Sequence, residues 1–156
     1  TVTGVQTCAL PICHRLVEQF LVQVLGLDWS EVHEEAEDLE HAISDKVLER
    51  IDALLGRPKV DPHGDPIPTA AGKLPTARLR SLGSCQVNTP LRIARMLDQN
   101  PAFLQFVDRH GLRPGAAIIV TARDDQADSV HIDVRSVGAV TIGTSAATKI
   151  LVEQTE

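Results

Sequence analysis

His33, Glu37, Glu40 and His41 follow one another at intervals of four, three and one residues inside a segment whose apolar positions repeat with helical period. At 3.6 residues per turn that spacing puts all four on one face of a helix. Upstream, His14 and Glu18 stand four residues apart on a second segment of the same kind. Imidazole and carboxylate without thiolate form a ligand set for a first-row divalent ion, leaning toward manganese or ferrous iron, because thiolate would favour zinc or an iron–sulfur cluster. Affinity alone does not exclude zinc or copper. For any single pair the competing reading is a solvated helix face, on which His and Glu four apart simply pair as side chains. Six such groups on two adjacent helices favour a metal site.

Three helices are needed to position these residues, and the pattern predicts them at 14–26, 29–43 and 45–55. In the first, Leu16, Val17, Phe20, Leu21, Val24 and Leu25 repeat with helical period before Gly26 ends it. In the second, Asp28 and Glu31 read as a capping pair, and Trp29, Val32, Ala36, Leu39 and Ile43 form an apolar stripe separate from the ligand stripe. Ser44 reads as the N-cap of the third, with Val47, Leu48, Ile51, Leu54 and Leu55 apolar and Gly56 closing it.

From Arg57 to Pro90 the composition turns to proline, glycine and small residues, through DPHGDPIPTAAG and LPTARLRSLGS, which reads as a linker with little core of its own. His63, between Pro62 and Gly64, is expected in a loop, in an exposed or fold-stabilising role rather than as a ligand. Beyond Pro90, Leu91–Leu97 alternates as a strand and Ala102–Arg109 gives helical turns. Ala116–Arg123, Ser129–Arg135 and Gly138–Gly143 read as further strands, the clearest being the one in which Val130, Ile132 and Val134 alternate with His131, Asp133 and Arg135. Short strands separated by glycine turns suggest a small barrel.

The chain has 156 residues, 43% of them hydrophobic and 23% charged, which suits one medium or two small globular domains. A formal net charge of −6 argues against nucleic-acid binding by these residues alone, because phosphate contacts need a concentrated basic surface. Three Phe, one Trp and no Tyr leave little aromatic surface on which bases could stack. No apolar run reaches the length of a membrane span. Cys8, Cys13 and Cys85 have no paired metal spacing and leave an odd thiol, pointing to a reducing cytoplasm, with Cys85 a structural bystander. There is no phosphate-cradling glycine loop, no Gly-x-Ser-x-Gly elbow and no Cys/His nucleophile pair.

The stretch VTGVQTCALPI resembles the in-frame translation of a common short-read sequencing adapter, so residues 1–13 are expected to be a non-native leader, with genuine sequence starting at Cys13 or His14. A secretory signal is the weaker reading, since there is no basic opening and Thr7 and Pro11 break the apolar run.

The segment HRLVEQFLVQVLGLDWSEVHEEAEDLEHAISDKVLERI, together with DPHGDPIP, resembles the metal-binding and dimerisation region of the diphtheria toxin repressor family of metal-dependent transcriptional regulators. FLQFVDRHGLRPGAAIIVTAR through GTSAATKILVE is similar to the SH3-like domain of that family, related to ferrous iron transport protein A. The resemblance implies an α+β chain with a non-native leader at 1–13, a helical metal-binding and dimerisation domain at 14–56, a linker at 57–90 and an SH3-like small β-barrel at 91–153. The winged helix-turn-helix that precedes these parts in the family is absent from the chain, so operator DNA is expected only through that missing domain. By matching position, His14, Glu18 and His33 would form the ancillary site, and Glu37, Glu40 and His41 the primary one. A glutamate at position 37, where iron-responsive members carry cysteine, suits Mn2+ or Fe2+. Asp98 and Gln99 lie where the SH3-like domain of some members donates a ligand, and a solvated loop end is the competing reading for them.

The resulting expectation is the sensing half of a cytoplasmic, homodimeric, manganese- or iron-dependent repressor that is not an enzyme and does not meet a membrane. Dimerisation also follows from short amphipathic helices that present more apolar surface than one small domain covers, although a monomer in which the third helix covers that face stays open. The alternative is a carboxylate-rich helical metalloenzyme, because Asp38 and His41 have the acid-to-His spacing of di-iron bundles, but the chain shows that motif once. A third reading makes the C-terminal barrel a peptide-binding module, against which the lack of groove aromatics counts.

Overall fold

A computed structural model describes residues 10–69 and 78–156. Of the leader expected over residues 1–13, residues 1–9 lie outside the described residues, as do the linker residues 70–77, whereas residues 10–13 form the start of the first helix. The chain divides into two units, Thr1–Pro75 and Thr76–Glu156.

The first unit is built from α1 (Leu10–Gln23), α2 (Val32–Glu40) and α3 (Asp45–Leu54). Cys13, Leu16, Val17 and Leu21 of α1 are buried against Val32 and Ala36 of α2, Leu48 of α3 and Ile67 from the segment beyond. This is the apolar stripe expected from the periodicity, and its burial lets the polar stripes of the first two helices face each other. Helix α1 stops where Gly26 adopts φ +72° and Leu27 N–H returns to the Leu21 carbonyl at 3.0 Å, a closing bond that needs a left-handed residue and so favours glycine.

Helix α2 is shorter than its pattern suggests and starts at Val32 rather than at Trp29. The Asp28 carboxylate turns back onto the Ser30 amide (2.8 Å) and hydroxyl, so it caps a local turn instead of the helix, and Glu31 holds the N-cap position without a side-chain bond. This turn leaves Trp29 buried, 2% exposed, one turn ahead of the helix. Helix α3 begins as expected, with Ser44 Oγ accepting from Val47 N–H at 3.3 Å.

Residues 59–67 do not behave as a coreless linker. Val60 and Pro66 form an isolated antiparallel bridge, and Asp61, His63 and Ile67 are buried. Asp61 Oδ1 accepts from the amides of His63 (2.8 Å) and Asp65 (2.9 Å), while Gly64 sits at φ +84° to let the chain reverse. Arg15 of α1 donates to the Pro66 carbonyl, which ties this loop to the helix carrying His14 and Glu18.

The second unit is a six-stranded antiparallel sheet in the order β1-β6-β2-β3-β4-β5. Its strands are β1 (Arg80–Ser81), β2 (Pro90–Met96), β3 (Ala117–Asp124), β4 (Ser129–Val134), β5 (Gly138–Gly143) and β6 (Ile150–Gln154). Helix α4 (Pro101–Arg109) starts at Asn100, whose side chain accepts from Ala102 N–H at 3.0 Å, and α5 (Thr144–Ala147) joins β5 to β6. Strand β4 keeps the expected alternation, with Val130, Ile132 and Val134 buried. Register shifts at Ile93/Arg95 of β2 and Val120/Ala122 of β3 bend the sheet around this core, as β-bulges do. Asp98 and Gln99 precede α4. Asp98 accepts from Lys149 Nζ (2.7 Å) and Asn100 N–H (2.9 Å), and these bonds hold its carboxyl below the usual range.

Candidate metal centre

Helix α1 presents His14 and Glu18 on one turn, and α2 presents His33, Glu37 and Glu40 on the facing side, so the packing of two apolar stripes brings the polar ones together. His14 Nε2, Glu18 Oε1 and His33 Nδ1 form a near-equilateral triangle, with edges of 2.9 Å (His14–Glu18), 2.9 Å (His14–His33) and 3.0 Å (His33–Glu18). An octahedral ion with bonds near 2.1 Å holds adjacent ligands about 3.0 Å apart, so these three atoms fit one face of such a site.

The remaining expected residues extend outward from the triangle. Glu40 Oε2 lies 2.7 Å from His14 Nδ1. Glu37 Oε1 is 3.4 Å from His33 Nε2 with its side chain 60% exposed. His41, which follows the last helical residue, contacts Glu40 Oε1 at 3.5 Å and is 70% exposed. Thus His14, Glu18, His33 and Glu40 are gathered tightly, while Glu37, Glu40 and His41 do not converge as a three-ligand cluster among the described residues.

A second convergence includes two residues that sequence spacing did not single out as ligands. Glu18, Asp61 and His63 are each almost wholly buried and bring one ligand atom apiece within 4.8 Å of the others. Glu18 Oε2 and His63 Nδ1 are 3.7 Å apart, too long for a hydrogen bond, and neither of these atoms nor Asp61 Oδ2 has a hydrogen-bond partner. Three buried unsatisfied atoms on residues that converge in this way suit a cation, since burying them without one carries a desolvation cost. The only signal in the sequence was an Asp-x-His pair in a Pro/Gly loop, and no periodicity connects such a loop to a helix. Glu18 therefore serves both convergences, one through each carboxylate oxygen.

The electrostatics are those of ligands that hold protons when no ion is bound. Hydrogen bonding to Glu18, opposed by burial and aided by the charges of Glu18 and Glu40, raises His14 to about 9, so at neutral pH it is an imidazolium donating toward both carboxylates. Burial pushes Glu18 up, yet the hydrogen bond from His14, contact with His63 and the bond from His33 outweigh it and hold the carboxyl well below the usual range. Asp61 is pushed up to about 7 by burial first and the nearby Asp65 and Glu18 charges second. For His63, burial favours the neutral ring, but Glu18 overcomes it and raises the group.

Residues 12–69 match the family model of the iron dependent repressor metal binding and dimerisation domain, and residues 80–154 match the FeoA domain. A solved manganese-dependent transcriptional repressor in complex with manganese is 42% identical, with a TM-score of 0.88 over 94% of this chain and 70% of that one. The chain belongs to the iron-dependent repressor family. Among its relatives, the iron-dependent repressor IdeR of Mycobacterium tuberculosis is 49% identical over 55 residues, 35% of this chain and 24% of IdeR. The diphtheria toxin repressor of Corynebacterium diphtheriae is 44% identical over 55 residues, again 35% and 24%. The aligned stretch thus spans about a quarter of either relative. Family membership bears out the helical metal-binding domain and the SH3-like FeoA domain, along with iron or manganese as the family's ions. Its members are repressors and not enzymes, and Asp38, on which the di-iron alternative turned, is exposed.

Proposed function

We propose that this chain is the metal-sensing and dimerising half of a cytoplasmic, manganese- or iron-responsive transcriptional repressor, whose operator DNA is met through a winged helix-turn-helix outside these residues. The observation that carries the reading is the triangle of His14 Nε2, Glu18 Oε1 and His33 Nδ1, whose edges match adjacent ligands of an octahedral ion. His14, Glu18 and His33 hold one divalent ion, and Glu18, Asp61 and His63 a second. Glu37, Glu40 and His41 supply the side that a DNA-binding domain would complete. A bound divalent ion supplies the positive charge that lets these carboxylates stay buried and ionised.

The residues then do the switching. His14 holds Glu18 of its own helix on one nitrogen and reaches Glu40 of α2 with the other, so its protonation state and the α1–α2 contact are one property. When the Nε2 proton leaves, Nδ1–H still orients Glu40, as the outer hydrogen bond of a ligating imidazole commonly does. Stabilising one arrangement of α1 and α2 shifts the population competent to hold a DNA-binding domain in register, and that is the allosteric output.

Free Mn2+ measured by electron paramagnetic resonance tests the sensor. His14→Ala and His33→Ala are each expected to weaken binding, and unchanged binding in both would remove the sensor reading. Dimerisation has a separate test. Leu25 (57% exposed) and Leu54 (66% exposed) leave large apolar surface open on this unit, of the kind a second copy covers. Leu54→Asp is expected to shift sedimentation from dimer to monomer with the helical circular dichroism retained, and a persisting dimer would place the interface elsewhere.

A further inference from the structure

Trp29 is the one tryptophan of the chain and stands outside every ligand set, yet it meets the buried pocket in two ways. Its main-chain carbonyl lies 2.7 Å from His63 Nε2. Its indole stacks on the same imidazole, with ring centroids 5.6 Å apart and planes inclined by 30°. Both rings are almost wholly buried.

A carbonyl oxygen can only accept, so the 2.7 Å contact requires the proton on Nε2. A neutral His63 therefore has its lone pair on Nδ1, the nitrogen that faces Glu18 Oε2. Without this bond the two neutral tautomers would compete, and one of them places an N–H where a lone pair is needed. The indole stack adds a second constraint by limiting rotation of the ring, which would otherwise swing Nδ1 out of the space shared with Glu18 and Asp61. Outer partners of this kind set the tautomer and orientation of ligating histidines.

We infer that Trp29 is the positioning residue of the buried pocket, its carbonyl selecting the His63 nitrogen that faces Glu18 and its indole holding the plane of the ring. The inference rests on the reading of Glu18, Asp61 and His63 as a cation pocket. It has a structural corollary. Trp29 lies in the Asp28–Ser30 turn that leads into α2, so the element that orders His63 is the same one that launches the helix bearing His33, Glu37 and Glu40. Ordering of the buried pocket and seating of α2 are joined at one residue.

The test uses the full chain and Mn2+ alone as probe. Because Trp29 is the single indole, Mn2+ in the buried pocket is expected to quench the protein's tryptophan emission. His63→Gln keeps a donor to the Trp29 carbonyl but removes the imidazole nitrogen that faces Glu18. It is expected to lose that quenching and one bound Mn2+ per chain. Trp29→Ala keeps the main-chain carbonyl and removes only the indole stack. It is expected to weaken the buried pocket toward the lower end of the about 10- to 100-fold range for outer partners, with Trp29→Phe restoring most of it. If His63→Gln keeps the wild-type Mn2+ count, the cation pocket itself is wrong. If His63→Gln loses the ion while Trp29→Ala binds as tightly as wild type, the pocket stands and the positioning role falls. Should Trp29→Ala not fold, wild-type emission decides: no response to Mn2+ while the pocket fills overturns the inference.

Discussion

Glu18→Gln is expected to empty both pockets at once, weakening Mn2+ binding by on the order of a hundredfold or more, whereas His33→Ala and Asp61→Asn should each impair one. Loss of an outer partner costs about 10- to 100-fold, and Glu18 is a direct participant shared by two sites, so its loss must exceed that range. The shape argument is favourable, because glutamine fills the same buried volume while lacking the charge. In the ion-free chain the same substitution removes the main partner of His14, whose pKa should fall back toward 6.5. Binding isotherms followed by free Mn2+ resonance, with imidazole proton shifts read by NMR, measure both effects. A Glu18→Gln chain that fills both pockets with wild-type affinity would show that the carboxylate is not shared.

That centrality is only half visible in the sequence. The four-residue interval from His14 to Glu18 is legible because a helix converts spacing into facing, and the carboxylate–imidazole set names its ion class through ligand chemistry alone. Ser44 as a helix cap and the alternation in β4 are legible for the same reason as the interval, since both are local rules. What stays hidden depends on contacts between distant residues. Asp28 and Glu31 satisfy a capping pattern, but the Asp28 side chain reaches the Ser30 amide first, so α2 opens at Val32 and Trp29 is buried ahead of it. Asp61 and His63 occupy a proline- and glycine-rich segment that has no period to read. Their placement comes from the Asp61 side chain wiring its own loop and from Arg15 reaching Pro66, 51 residues away. Asp98 is similar, since its pairing with Lys149 spans another 51 residues.

The second large effect is a pH dependence whose sign follows from His14. Its pKa rises from 6.5 to about 9 on folding, so the proton is held more tightly in the folded, ion-free chain than in the unfolded one. The resulting stabilisation is fully present below pH 6.5 and disappears as pH rises through 9, and a shift of this size corresponds to about 3 kcal/mol. The ion-free chain is therefore expected to lose thermal stability between pH 6.5 and 9. Mn2+ affinity should move in the opposite direction. A ligating nitrogen must give up its proton, so each pH unit below 9 costs about tenfold in affinity at the pocket holding His14. Below about 7 the buried pocket should fall more steeply, because Asp61 then carries a proton as well. Melting curves with and without Mn2+ from about pH 6 to 9 would show the two trends crossing, the ion-free chain weakening while the ion-loaded chain gains. In Glu18→Gln the ion-free slope should flatten, because the partner that holds the proton on His14 is gone. Mn2+ affinity that stays constant between about pH 7 and 8.5 would mean that His14 does not exchange a proton for the ion.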